Sequence, residues 1–235
     1  MSLPVDFPVK SVPILDPAIA LGYSTRPGLQ ATNGMRRSRG MSGAQFRLSF
    51  RVAVFNEQIA RTMRGFFFNM EADTTLVRVR LPEVYGIDGP YAAATRSYRM
   101  ANALGIPFAT DAMYATGVGH AVPTLETSFR DPAALNDREI YVTESTEIPG
   151  GCALSIDEFC YGIAGSWIEG GVQRLRLSPV LRKPAAVGDM ISLAPVFVGV
   201  CVSDSPGFDA LSHGRYGEHS LEFVEDLTRL VEDVD

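Results

Sequence analysis

The sequence is poor in the residues that most often do chemistry at fixed spacing. It holds three cysteines, Cys152, Cys160 and Cys201, and three histidines, His120, His213 and His219, in 235 residues. No two cysteines form a CxxC pair, and an odd number of thiols does not make a disulfide framework, so free thiols of a reducing compartment are expected. A zinc site wants ligand pairs at short spacing. The histidines are scattered, with no HxxxH or HExxH, and the turn around His213 and His219 predicts solvent-exposed rings. Basic charge is also short: 21 Lys and Arg stand against 27 Asp and Glu, a net charge of −6. A surface of that sign does not attract phosphate as a whole, so nucleic acid recognition is not expected. No run approaches the roughly 18 apolar residues of a membrane-spanning helix. Prolines at positions 4, 8 and 13 leave no continuous apolar stretch for a signal peptide, and folding in the cytoplasm is expected.

What is present is an ordinary globular balance, 46% hydrophobic and 20% charged, in a chain long enough to bury a core without crosslinks. Residues 1–45, rich in Pro, Gly, Ser and Thr, predict extended chain and turns, an arm. FRLSFRVAVF (46–55) alternates Phe46, Leu48, Phe50, Val52 and Val54 with Arg47, Ser49 and Arg51, the period of a strand buried on one face. Asn56 then stands where a helix N-cap is needed, with Glu57 in the first turn. Ile59, Met63, Phe66, Phe67 and Met70 follow at offsets that lay one apolar stripe on a helix of about four turns. TTLVRVRL (74–81) returns to alternation and closes a strand, helix, strand unit.

After Leu81-Pro82 the pattern changes to short strands separated by turn residues. REIYVTEST (138–146), CALSIDEFCYGI (152–163) and VQRLRLSPV (172–180) read as strands, punctuated by Gly150-Gly151 and Gly170-Gly171, and their spacing predicts a small antiparallel barrel or sandwich. A helical turn is expected in YRMANALGI (98–106). The segments 191–204 and 218–226 are again long and apolar, matching the first unit. They are therefore expected to complete its sheet, with residues of roughly 86–188 inserted between its halves. The fold class expected is mainly β with one main α-helix.

No catalytic constellation stands out. The GxSxG elbow of an activated serine is absent, and Gly165-Ser166-Trp167 lacks its second glycine. Asp157 and Glu158, read as neighbours on one strand, would point to opposite faces and could not converge. The stretch GVGH (117–120) has neither the spacing nor the lysine of a phosphate-binding loop. Cys152 and Cys160, eight apart on one expected strand, would lie on the same side as small buried apolar residues. A non-enzymatic chain with no cofactor and no metal is expected. Two features rise above this background. Arg36, Arg37 and Arg39 form a basic knot in a glycine-flanked loop, suited to contact with an acidic neighbouring subunit or simply to solvation. Phe68 lies about 100° round the helix from the core stripe, so intrachain packing or another subunit must cover it.

The order of these segments resembles the distal tail proteins, and related tail-tip or baseplate proteins, of siphophage-like tailed phages and gene transfer agents. The resemblance rests on SGAQFRLSFRVAVF, NEQIARTMRGFFFNM and LVRVRLPEVYG at the start. It continues in LRLSPVLRKPAAVGDMISLAPVFVGVCVSD and GRYGEHSLEFVED near the end, and covers about half the chain in the same order. It implies a discontinuous ring-forming β-sheet and helix domain, residues 1–85 and 189–235, with an inserted small β-barrel or sandwich, residues 86–188. It also implies a virion structural component, a homo-oligomeric ring of six copies or, nearer the hub, three. The ring would join the tail tube protein to the baseplate hub protein, with Arg36, Arg37, Arg39 and Phe68 as subunit contacts. The reading from another class is a carbohydrate-binding module for the host surface, in which Trp167 and Tyr161 stack on sugar. A hydrolase with a site assembled from distant residues is a third.

Overall fold

A strand that alternates apolar and charged residues can bury only one face, and the 46–55 segment does so along its whole length. In the computed structural model, which describes residues 4–9, 11–22, 25–30, 36–40, 44–70, 75–81, 125–143, 147–203 and 217–230, this is strand β5 (Gln45–Val54). Before it come β1 (Val5–Asp6), β2 (Ile14–Gly22), β3 (Thr25–Gln30) and β4 (Arg36–Gly40). After it come helix α1 (Glu57–Asn69), β6 (Leu76–Arg80), β7 (Glu126–Ser128), β8 (Glu139–Val142), β9 (Ala153–Ile156) and β10 (Phe159–Glu169). The described chain ends with β11 (Val172–Ser178), β12 (Met190–Ser192), β13 (Val196–Cys201), β14 (Gly217–Glu225) and a short 3-10 turn at Thr228–Leu230. Among the described residues the protein is thus mainly β with one α-helix, of the α+β class.

The first sheet runs β1-β6-β13-β14-β5-β2. β14 pairs antiparallel with β5 from Gly217 opposite Val54 to Val224 opposite Arg47, so chain ends far apart in sequence share one sheet. β13 pairs with β6, and β1 adds to β6 in parallel. Helix α1 closes the core: Asn56 Oδ1 accepts the Ile59 N–H at 2.8 Å, and Ile59, Ala60, Met63, Phe66 and Phe67 are buried. Phe7 meets Phe50 and Phe66 edge-on at 5.1 and 5.0 Å, and Phe50 stacks on Phe223 at 5.6 Å. Gly65 is an exposed helical position where a methyl group would meet nothing within 4 Å. Gly65→Ala is therefore expected to stabilise the fold by about 0.5–1 kcal/mol, and Asn56→Ala to cost about 1 kcal/mol, both read from urea midpoints.

The second sheet runs β7-β12-β9-β10-β11-β8 around its own core of Phe129, Ile140, Leu154, Tyr161 and Leu175. It is not a closed barrel. Its two edge strands meet only at a bridge between Phe129 and Val142, supported by Arg130 N–H to Tyr141 O at 2.9 Å and Thr143 N–H to Ser128 O at 3.1 Å. The expected barrel is a sheet curled until its edges touch. Its ladder stops there because β7 and β8 are only three and four residues long.

Several expectations change. Residues 152–163 are not one strand: Asp157 and Glu158, at φ 49° and 62°, form a two-residue turn between β9 and β10. Cys152 and Cys160 therefore belong to different cores. The return to the first sheet comes later than residue 189, because β12 still pairs with β7 and the crossover is Leu193-Ala194-Pro195. His219 is not a turn residue: it lies on β14, buried, with its ring edge-on to Phe67 at 5.9 Å. The described residues of the arm are extended as expected, many of them in strands β1 to β4. β2 carries Pro17 beside a register shift and Asp16 at φ 48°, which an edge strand tolerates because its outer amides have no ladder to make. The helical turn expected at 98–106, the GVGH stretch, His120 and His213 lie outside the described residues.

Candidate functional site

A buried ion pair lies on the seam between the two sheets. Along β14 the inward phase of the alternation is His219, Leu221, Phe223 and Glu225, so the strand's period carries a carboxylate into the interior. Glu225 is 2% exposed. It accepts from Phe46 N–H at 3.0 Å, where β5 begins, and from Cys160 N–H at 3.3 Å on β10. Arg182, in the proline-containing loop after β11, grips it with both terminal nitrogens, one at 2.8 Å and one in a shorter contact. The same guanidinium donates to Ala44 O at 2.9 Å, and the Arg182 N–H donates to the Tyr161 hydroxyl at 3.0 Å. One ion pair thus ties one end of the first sheet's two central strands, the start of β5 and the finish of β14, to the second sheet.

Aromatic rings and two neutral acids surround this node. Arg182 lies 5.6 Å from the ring centres of both Phe159 and Tyr161, and Arg229 sits 4.3 Å from that of Phe159. Burial, reinforced by the charge of Glu225, pushes the Cys160 thiol well above its usual range, so it stays protonated and donates to Val196 O at 3.0 Å. Burial likewise pushes Tyr161 up to about 12. Neither group is poised as a nucleophile or base. Arg78 and Arg229 both reach Glu158 in the β9–β10 turn, at 2.7 and 3.9 Å, which extends the charged seam to the surface. The arrangement fixes two units in one orientation. Among the described residues, no group of three or more His, Cys, Asp or Glu is placed to hold a metal ion, and no helix is long and apolar enough to cross a membrane.

The residues singled out from the sequence are not brought together. Arg36, Arg37 and Arg39 lie on β4, which pairs with β3 in a separate two-stranded sheet, Arg39 opposite Arg26. Phe68, expected to be covered by intrachain packing or another subunit, is 72% exposed. Tyr161 is a correction: it is 1% exposed and its hydroxyl accepts from Arg182, so it cannot stack on a sugar. Trp167 is half-exposed on β10, near the β10–β11 turn.

Beside the seam, a shallow cleft of about 190 Å³ opens between the edge strand and the second sheet. Ile19, Leu21, Phe46, Cys152 and Ile163 line it. β2 is the last strand of its sheet, so its outer edge has no partner among the described strands. Sequence reasoning missed the seam, although one signal was there: Glu225 falls on the buried phase of its own strand. Neither a protein-family model nor a curated protein matches the chain.

Proposed function

We propose that the chain is a ring-forming structural adaptor, a distal tail component that joins a tail tube to a baseplate hub. The observation that carries this reading is an incomplete sheet. The β3–β4 hairpin pairs with no third strand among the described residues, and it follows directly on the open edge of β2. A two-stranded ribbon is marginal alone in water and gains stability by packing on or pairing with another surface. Residues 25–40 carry four arginines and no acidic residue, leaving −10 on the rest of a chain whose total is −6. A basic ribbon and an acidic body are complementary between copies of one chain. Head-to-tail contacts of that kind close into a ring when the rotation closes, and sixfold closure is what the resemblance implies. The buried Arg182–Glu225 seam suits such a part, because an adaptor must hold its two units in a fixed orientation.

Light scattering after size exclusion, with negative-stain microscopy, is expected to show a closed ring of copies. Ile19→Lys is expected to give a folded monomer, since the lysine stem can lie in the cleft while its ammonium blocks the strand edge. A chain that stays monomeric at high concentration and forms no ring in a virion overturns the reading.

A further inference from the structure

The outer face of the second sheet carries a built aromatic platform, and we infer that it binds a neutral pyranose oligosaccharide. Trp167, Arg174 and Tyr141 lie directly opposite one another on β10, β11 and β8, so their side chains project in one row from one face. Trp167 is 44% exposed. Its ring lies across Gly165, two residues earlier on the same face: a β-carbon at Gly165 would come 3.2 Å from Trp167 Cη2. The glycine therefore lets the indole lie along the sheet, where a side chain would prop it up. The Arg174 guanidinium lies over the indole, its carbon 5.5 Å from the ring centroid, a cation–π contact that holds the ring in place and still leaves the residue 44% exposed. Arg174 is itself fixed, by Glu139 in a short contact and by Glu169 at 3.5 Å.

This chemistry selects among ligands. Arg174 and Arg176 on the face are balanced by Glu139 and Glu169, so the row offers no net attraction to a polyanion or a polycation. Two rings separated by a fixed polar cluster do not make the contiguous apolar patch of a protein interface. They do match a sugar, whose C–H face packs on an aromatic ring while its hydroxyl rim meets carboxylate acceptors and guanidinium donors. Trp167 and Tyr141 are two strand spacings apart, about 9.6 Å, which suits the first and third rings of a trisaccharide rather than adjacent ones. The site differs from the pair expected from sequence, because Tyr141 takes the place of the buried Tyr161. It does not depend on ring assembly.

Trp167 is the chain's only tryptophan, so intrinsic fluorescence reads this site directly. Cellotriose, maltotriose and chitotriose would be titrated into the full chain, with polygalacturonate as the anionic arm. The expected result is a saturable change in Trp167 emission with at least one neutral trisaccharide. Tyr141→Ala is expected to weaken binding about tenfold, and Tyr141→Phe, which keeps the ring and the fold, to stay near the parent. No saturable response, a response to polygalacturonate alone, or equal affinity in Tyr141→Ala overturns the inference. A monomer that binds sugar, or a ring that ignores it, separates this result from that of the assembly test.

Discussion

Replacing Glu225 by alanine is expected to remove about 3–5 kcal/mol of stability, a large share of the roughly 5–15 kcal/mol by which a domain is folded. The carboxylate is the acceptor for two backbone amides and for both terminal nitrogens of a guanidinium whose side chain is only 6% exposed. Without it, Arg182 keeps Ala44 O and two aromatic faces but carries a buried charge with no counterion. The amides of Phe46 and Cys160 lose their acceptor at the same time. Desolvating both ions already offsets much of their attraction, so the cost lies in breaking the pair more than in lacking it. The double replacement Glu225→Met with Arg182→Met is therefore expected to be more stable than Glu225→Ala alone. Urea midpoints and slopes measure both. A loss below about 1 kcal/mol for Glu225→Ala, the value of an exposed pair, would show that the carboxylate does not hold the seam.

The parts of the fold legible in the sequence are those where one local period decides the structure. β5, α1 and β6 each bury a face that their own spacing marks, and Asn56 caps the helix as its residue type suggests. The parts that were hidden depend on tertiary partners. Asp157 and Glu158 read as strand because neither is a glycine, yet both adopt positive φ, with the Glu158 carboxylate held by Arg78 and Arg229 from elsewhere in the chain. By contrast, Gly170 and Gly171, at φ 59° and 78°, announce the next hairpin through the residue type such a turn favours. β2 was hidden by Pro17, which argues against strand unless the strand is known to be an edge. Tyr161 and Trp167 look alike as aromatic neighbours of a strand. Only the β-bulge between Ile163 and Gly165 and the curl of the sheet decide that one faces the core and the other solvent.

The alternation of β14 also shows how the seam was missed. A histidine and a glutamate on the buried phase of an otherwise apolar face cost free energy unless something inside pairs with them, so they point to a partner the local sequence does not contain. For Glu225 that partner is 43 residues away in a loop whose only sequence mark was an irregular proline turn. The two sheets therefore meet where local pattern breaks its own rule, and the exception carries the architecture.

Gly199→Ala is expected to cost about 3 kcal/mol or more, although it adds one methyl group, while the same substitution at Gly65 stabilises. Gly199 lies on β13 directly opposite Glu225 on β14 and opposite Val77 on β6, in the middle of the first sheet. A β-carbon there would fall far inside van der Waals contact with the Val224 carbonyl oxygen, 2.8 Å from its carbon and 2.7 Å from Phe197 Cε1. Phe197 is fully buried, and the carbonyl belongs to a paired strand, so neither can move aside cheaply. Relief must come from shifting β14 away from β13, and that shift moves Glu225 relative to Arg182. The two perturbations therefore share one strand. In a double-mutant cycle, Gly199→Ala with Glu225→Ala is expected to cost less than the sum of the single changes by more than about 0.5 kcal/mol, the margin within which independent sites add. Simple additivity, or a near-neutral Gly199→Ala, would mean that β14 can shift without disturbing the seam.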